Sequence, residues 1–346
     1  MFPYFSIIYP SFSLLLLHRL GINSKTHPRK NYLQWPLVII FTIFPCITRG
    51  GVLLIAILLA EILFFGEAIL KKNRLAIFSR AFALGTLSLS IFSPMVLTFP
   101  KFSAHLQNLS LLSIIFLFPF CVYDNSKRLH RSDLLEDVWR FSSCLQCLWI
   151  HPLFPMDHRL FLRALTLAIV YHALLAFKED RLWNFLHTLH RVHLQFLAYI
   201  FYLSPIHMPI KSLAMLHYLF SIALLSTCLP NTETPSIGEV KGMVRFFPGK
   251  GIIFSLCVSF LCIQLPSFHI FFPWMAGTLF SRGIVPLLLH CIIASIAIRH
   301  IFWISLPSAH PPKMSAKNAA QLPLIFCWIG VYAIGVAILV FGSVKV

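Results

Sequence analysis

The sequence predicts an all-α polytopic transmembrane bundle of about 12 helices. Hydrophobic residues make up 58% of the 346-residue chain, whereas charged residues make up only 11%. Long apolar stretches alternate with short basic loops, and a soluble domain of this length could not bury so much apolar surface. We therefore interpret residues 1–346 as a single transmembrane domain.

Breaks in hydropathy divide the chain into twelve candidate spans. They run over residues 2–17, 34–48, 51–70, 76–99, 109–123, 138–155, 160–177, 182–203, 212–229, 251–275, 284–305 and 321–342. The shortest have about 15 residues, against the ~20 that a straight membrane-crossing helix needs. The first span has no basic region before it and no small-residue cleavage motif, so we interpret it as a retained span and not as a signal peptide.

Lys and Arg residues are distributed unevenly over the loops between these spans. Numbered from the N-terminus, the odd loops hold 17 of them and the even loops hold 5. Because basic loops stay in the cytoplasm, the odd loops are predicted to be cytoplasmic and both termini to lie on the non-cytoplasmic side. The net charge of +17 is then explained by loops that face anionic lipids, and we expect no nucleic acid partner. The predicted location is the bacterial inner (cytoplasmic) membrane.

Two acidic residues, Glu61 and Glu67, lie inside a predicted span, whereas the other nine lie in loops or at span ends. Glu67 is close to the basic end of its span and can pair with Lys71, four residues on. Glu61 lies near mid-span, where an ionised side chain costs roughly 2.5–3.5 kcal/mol on insertion scales. Intramembrane acids of this kind mark ion or proton pathways, so Glu61 is a candidate proton-carrying residue.

Histidine is frequent in the spans, most clearly in the stretch FLHTLHRVHLQF. This stretch places His187, His190 and His193 three residues apart. On a helix, residues at this spacing lie near one face and shift gradually around the axis. The pattern suits a proton path, ligands for a metal or haem, or a helix face that meets polar neighbours. We expect no metal, because no acid or cysteine accompanies these histidines and the Cys144–Cys147 pair has no second pair of matching spacing.

Proline inside an apolar segment indicates a helix break in the C-terminal part of the chain. Pro266 interrupts SFLCIQLPSFHIFFPWMAGTLF, and proline removes a backbone donor and kinks a helix. Transporters use broken helices to place backbone polar groups at membrane depth. An ordinary kink is the alternative that this segment alone leaves open.

Three consecutive stretches carry the motifs of one family of membrane proteins. They are YHALLAFKEDRLWNFLHTLHRVHLQFLAYIFYL, LAMLHYLFSIALLSTCLPNTETPSIGEVKGM and GIIFSLCVSFLCIQLPSFHIFFPWMAGTLF. The residues that fit the motifs are Glu179, Asp180, Phe185, Leu186, His193, His217, Leu265, Pro266, Phe271 and Phe272. In order and spacing the stretches resemble the antiporter-like membrane subunits of respiratory complex I, with relatives in membrane-bound hydrogenases and Mrp-type cation antiporters. Upstream, LAEILFFGEAILKKN offers Glu61 for the family's intramembrane glutamate.

The resemblance covers most of residues 34–305 and implies two inverted five-helix repeats around broken helices. Several lysines of the family are missing. Ser221 stands four residues after His217, where the family has a lysine, and Trp274 stands where its broken helix carries Lys or Glu. The stretch IIFLFPFCVYDN, which matches the family's seventh helix, also has no lysine. The resemblance therefore implies a degraded proton relay.

The expected function is that of a divergent antiporter-like subunit of a proton- or cation-translocating complex of the NADH:quinone oxidoreductase, hydrogenase or Mrp type. Its proton-path candidates are Glu61, His187, His190, His193 and His217, and its helix break is Pro266. We expect no catalytic centre, no cofactor and no metal site in the chain, and we expect other membrane subunits and the lipid bilayer as its partners. Two alternatives stay open: a histidine-rich integral membrane protein that binds haem or a metal, and an autonomous ion carrier.

Overall fold

The structure is a computed structural model that describes residues 158–203, 241–246 and 284–307, together with single residues and short pieces within 62–84, 214–252 and 329–337. The longer ranges form four helices: α1 (His158–Lys178), α2 (Leu182–Leu203), α3 (Met243–Phe246) and α4 (Ile284–Ser305). The helices α2 and α4 occupy the ranges of two predicted spans, and α1 extends a third by two residues at its start and one at its end. The helix count of the whole chain and the inverted repeats concern residues outside the described ranges and stay predictions.

The chain divides into two compact units. The first comprises Met1–Ala168 and Leu197–Pro205, and the second comprises Ile169–Phe196 and Ile206–Val346. In the first unit, the Thr166 hydroxyl donates to the carbonyl of Leu162, one turn earlier in α1, at 2.7 Å. The Tyr199 side chain, which belongs to α2, hydrogen-bonds Thr166 within the same unit. The prediction of a single domain concerns the whole chain and stays a prediction.

One face of α1 is exposed and apolar between two cations. Leu167 and Leu174 are exposed by 71% and 63%, and Tyr171 between them is also exposed. Arg163 precedes these residues and Lys178 follows them, both exposed and both at the spacing of three or four residues that keeps side chains on one helix face. The remaining turns are rich in Ala and Leu, which are strong helix formers. The exposed surface of α1 is thus apolar and has one positive charge at each end.

The helix α2 is enclosed by protein over most of its length. Every side chain of residues 188–202 is buried. The first turn is secured by the Phe185 backbone N–H, which donates to the Arg181 carbonyl at 2.9 Å. A helix buried on all sides is ordinarily apolar throughout, because each enclosed polar group needs a partner to offset its lost hydration. The polar residues of α2 are therefore the ones that call for a functional explanation.

The helix α4 has one apolar face toward the protein and another that is exposed. Leu289, Ile293 and Ile296 are buried at helical spacing, whereas Ile298 and Phe302 are exposed by 61% and 62%. The segment Ile284–Trp303, with 20 residues, is long and apolar enough to cross a membrane, and it is the one such segment found in the part of the chain that the structure describes. By length and composition, α4 fits the span predicted over 284–305.

Gly242 turns the chain into the short helix α3. Its φ of 79° lies in the left-handed region, which glycine adopts without the steric cost of a side chain. The backbone N–H groups of Arg245 and Phe246 donate to the Gly242 carbonyl at 3.0 and 3.1 Å. The turn places Lys241 beside α4, with its Nζ 5.7 Å from the centre of the Trp303 ring.

Arg299 joins the last turn of α1 to α4. Its guanidinium donates to the backbone carbonyl of Phe177 and lies 5.6 Å from the centre of the Phe177 ring. The last four carbonyls of a helix have no partner within the helix, and they form the negative end of its dipole. A cation from a neighbouring helix satisfies both needs, so Arg299 stabilises the C-terminal end of α1.

Candidate functional site

Polar side chains are buried inside the second unit on three different helices. They are His172 on α1, then Thr188, His190, Arg191, His193 and Gln195 on α2, and His300 on α4. We call this set the polar interior. All seven residues belong to the segments 169–196 and 206–346, which make up the second unit. Four of them are histidines, so the polar interior is dominated by groups that can bind and release a proton.

The side chains of His172 and Gln195 connect α1 to α2. The Gln195 Nε2 lies 3.1 Å from His172 Nδ1, and the Gln195 Oε1 lies 3.2 Å from the same ring nitrogen. When Nδ1 carries no proton, Nε2–H donates to it; when Nδ1 is protonated, it donates to Oε1. The amide can therefore hydrogen-bond this nitrogen in either protonation state.

The His300 side chain contacts both α2 and the backbone of its own helix, α4. Its ring stacks on Phe185 with centroids 3.5 Å apart and planes inclined by 11°. Its Nδ1 lies 2.7 Å from the backbone carbonyl of Ile296. Because a carbonyl oxygen can only accept, Nδ1 carries the proton in this arrangement, and Nε2 is the nitrogen that can accept one.

A second contact between a histidine and a phenylalanine joins α2 to α4. His290 stacks on Phe196 with centroids 5.7 Å apart and planes inclined by 28°. Its Nδ1 is buried and makes no hydrogen bond within the described residues. Two phenylalanine rings of α2 thus lie against two imidazoles of α4. Each contact restricts the orientation of the imidazole ring.

The predicted site residues are only partly within the described ranges. His190 and His193 lie in the polar interior, 3% and 1% exposed, as part of the buried stretch of α2. The backbone of His187 belongs to α2, but its side chain is outside the described residues. Glu61, His217 and Pro266 are also outside them, so the burial of Glu61 and the helix break at Pro266 stay predictions.

Sequence reasoning did not single out four polar residues that the structure brings into contact with α1, α2 or α4. They are His172, Gln195, His290 and His300. Each lies inside a predicted span, and polar residues at that depth ordinarily face the protein interior. Burial of these four residues could have been predicted from that signal, although they lack the close spacing of the histidines in FLHTLHRVHLQF.

A metal centre would need several ligands at one point. Among the residues that the structure describes, no three side chains of His, Cys, Asp or Glu come close enough to hold a metal ion. The side chain of His187 is not among them, so the metal or haem alternative for its helix stays untested.

The hydrogen bond between His172 and Gln195 is open to a direct measurement. We expect a double-mutant cycle with His172→Leu, Gln195→Leu and the double variant to give a coupling free energy of about 1 kcal/mol in unfolding. The physical reason is that each single change leaves one buried polar group without this partner, whereas the double change removes both. Unfolding of the full chain in detergent provides the readout, and strictly additive single effects would contradict the contact.

No protein-family model matches the chain, and no curated protein matches it either.

Proposed function

We propose that the chain is a divergent antiporter-like membrane subunit of a proton- or cation-translocating complex, and that its polar interior carries protons along an altered path. The observation that carries this proposal is the composition of α2. A helix that is buried on every side over residues 188–202 nevertheless contains two histidines, an arginine and a glutamine.

The cost of burying such groups is the first support. Enclosed polar and ionisable side chains lower stability unless they are compensated, and in membrane proteins they occur mainly along substrate and proton pathways. Imidazole titrates near neutral pH, at about 6.5, and its two nitrogens allow it to accept a proton on one side and release it on the other. His190 and His193 on α2 meet this chemical requirement.

The connection between helices is the second support. His172 Nδ1 keeps a hydrogen bond to Gln195 whether or not it is protonated, because the amide offers a donor at 3.1 Å and an acceptor at 3.2 Å. A proton can therefore arrive at or leave this nitrogen without the loss of its partner. The pair extends the polar interior from α2 to α1.

The exposed surfaces support a membrane location. The helices α1 and α4 have 21 and 22 residues, and at about 1.5 Å per residue each is long enough for the ~30 Å core of a bilayer. The exposed face of α1 is apolar between Arg163 and Lys178. Such cations extend toward the headgroups while the side chains between them face the lipid.

Two features of the sequence support dependence on other subunits. It contains no G-x-x-x-x-G-K-[ST] phosphate loop and no four-cysteine cluster pattern that could supply energy for uphill transport. Ser221 stands where the antiporter-like family has a lysine, and Trp274 stands where it has Lys or Glu. We therefore assign active transport to the complete complex and only downhill proton movement to the isolated chain.

Liposomes that contain the purified full chain test the proposal. We expect the isolated chain not to move protons against their gradient, but to allow a downhill proton flux when a pH gradient is imposed. We expect this flux to be lower in Glu61→Gln, because an amide cannot take up the proton that a carboxylate carries. The flux is followed with a pH-sensitive dye inside the vesicles, and Glu67→Gln is the matched control near the end of the same predicted span.

The outcomes separate the parts of the proposal. Proton transport against the gradient by the isolated chain would refute its role as a subunit that depends on others. Equal flux in wild type and Glu61→Gln would remove Glu61 from the path, and the absence of any flux in wild type would refute proton conduction by this chain.

A further inference from the structure

A basic and an aromatic side chain meet near the C-terminal end of α4, and a second basic residue lies on the short helix α3 beside it. Lys241 Nζ lies 5.7 Å from the centre of the Trp303 ring, and α3, which begins two residues after Lys241, packs against α4. Arg245 on α3 is exposed, and its guanidinium carbon lies 5.8 Å from the centre of the Phe246 ring. We call Lys241, Arg245 and Trp303 the basic–aromatic site.

The two cations of this site outnumber the acids beside them in the sequence, where Glu239 is the nearest one. Within the described part of the chain, neither Lys241 nor Arg245 forms an ion pair, and the contact of each is with an aromatic ring. The end of α1 differs, because Lys178 and Arg181 flank an equal number of acids, Glu179 and Asp180. The basic–aromatic site therefore offers a net positive charge to a ligand.

An apolar surface continues from the site along α4. Phe302, next to Trp303, is 62% exposed, and Ile298 lies one turn earlier on the same face and is 61% exposed. A ligand that fits both parts must be anionic at one end and apolar beyond it. Inorganic phosphate lacks the apolar part, and an acidic peptide lacks a long hydrocarbon chain that could follow α4.

We propose that the basic–aromatic site binds the headgroup of an anionic phospholipid, whose acyl chain follows Phe302 and Ile298. The inference rests on the membrane location in the proposed function. Tryptophan is enriched at the level of the headgroups, where its ring N–H stays hydrated while its rings contact hydrocarbon. Basic residues close to the cytoplasmic leaflet attract its anionic lipids, and Lys241 and Arg245 belong to a loop predicted to be cytoplasmic.

The test uses the purified full chain and two lipids with identical acyl chains, phosphatidylglycerol and phosphatidylcholine. The chain is incubated with an equal mixture, and the retained lipids are quantified by mass spectrometry. We expect a preference for phosphatidylglycerol, which falls by about 25-fold in the variant with Lys241→Gln and Arg245→Gln, since each cation contributes roughly fivefold. The charge-preserving variant with Lys241→Arg and Arg245→Lys is expected to keep the preference.

A matched control removes the same charge at the end of α1. The variant with Lys178→Gln and Arg181→Gln is expected to keep most of the preference, because Glu179 and Asp180 already balance the charge at that end of α1. An equal loss in both double variants would overturn the assignment of the site. Full displacement of the lipid by inorganic phosphate would also overturn it, because the acyl chain would then contribute nothing. If the chain floats with liposomes but shows no lipid preference, the lipid site alone is refuted; if it does not float, the membrane function is refuted as well.

Discussion

Replacement of Phe185 by alanine is expected to lower the free energy of unfolding by about 3–5 kcal/mol. Phe185 is completely buried near the start of α2, and its ring stacks on His300 at 3.5 Å. The change removes the packing of a whole aromatic ring and leaves a cavity that neighbouring helices fill only partly. It also removes the surface that fixes the orientation of the His300 ring.

The matched control is Phe302→Ala on α4. Phe302 is 62% exposed, so its truncation opens no cavity inside the protein, and we expect a change within about 0.5 kcal/mol. Both variants are compared with the wild type by reversible denaturation of the full chain in the same detergent. Equal losses of stability in the two variants would show that the stack of Phe185 on His300 does not anchor α2 to α4.

The positions of the long helices follow from simple features of the sequence. The stretch KEDR separates two apolar segments, and it predicts the end of one helix and the start of the next. In the structure α1 ends at Lys178 and α2 begins at Leu182. Charged residues interrupt an apolar run wherever the chain must return to water, so hydropathy locates such boundaries well.

The surroundings of α2 could not be predicted from the same features. The histidine spacing in FLHTLHRVHLQF suggested one polar face, whereas the structure buries all of residues 188–202. Whether a helix in a bundle is peripheral or enclosed depends on how many other helices pack around it, and local periodicity does not encode that number. The enclosure of α2 changes the meaning of its polar residues, because none of them can be explained by a hydrated surface.

Contacts between residues far apart in the chain could not be predicted from the sequence either. His172 meets Gln195 across 23 positions, and Arg299 meets Phe177 across 122 positions. Arg299 falls inside the span predicted over 284–305, but the sequence could not name the group that satisfies it. The structure supplies a carbonyl at the end of α1, and this contact explains a half-buried cation by helix capping instead of by proton transport.

Replacement of His193 by leucine is expected to reduce downhill proton flux by about 10²-fold, the lower end of what a positioned proton-transfer group contributes in enzymes. His193 is 1% exposed and lies on the enclosed part of α2, two residues before Gln195. Leucine preserves much of the buried volume but offers no nitrogen to the proton. The measurement uses the full chain in liposomes with an imposed pH gradient.

Two further variants separate proton transfer from folding. His193→Gln retains hydrogen bonding but does not titrate, so its flux is expected to fall as far as that of His193→Leu while its thermal stability stays closer to the wild type. His310→Leu, in a predicted loop after α4, changes the same residue type outside the spans and is expected to leave the flux unaltered. If His193→Gln conducts as well as the wild type, His193 only hydrogen-bonds within the polar interior, and the proton path must run through other residues.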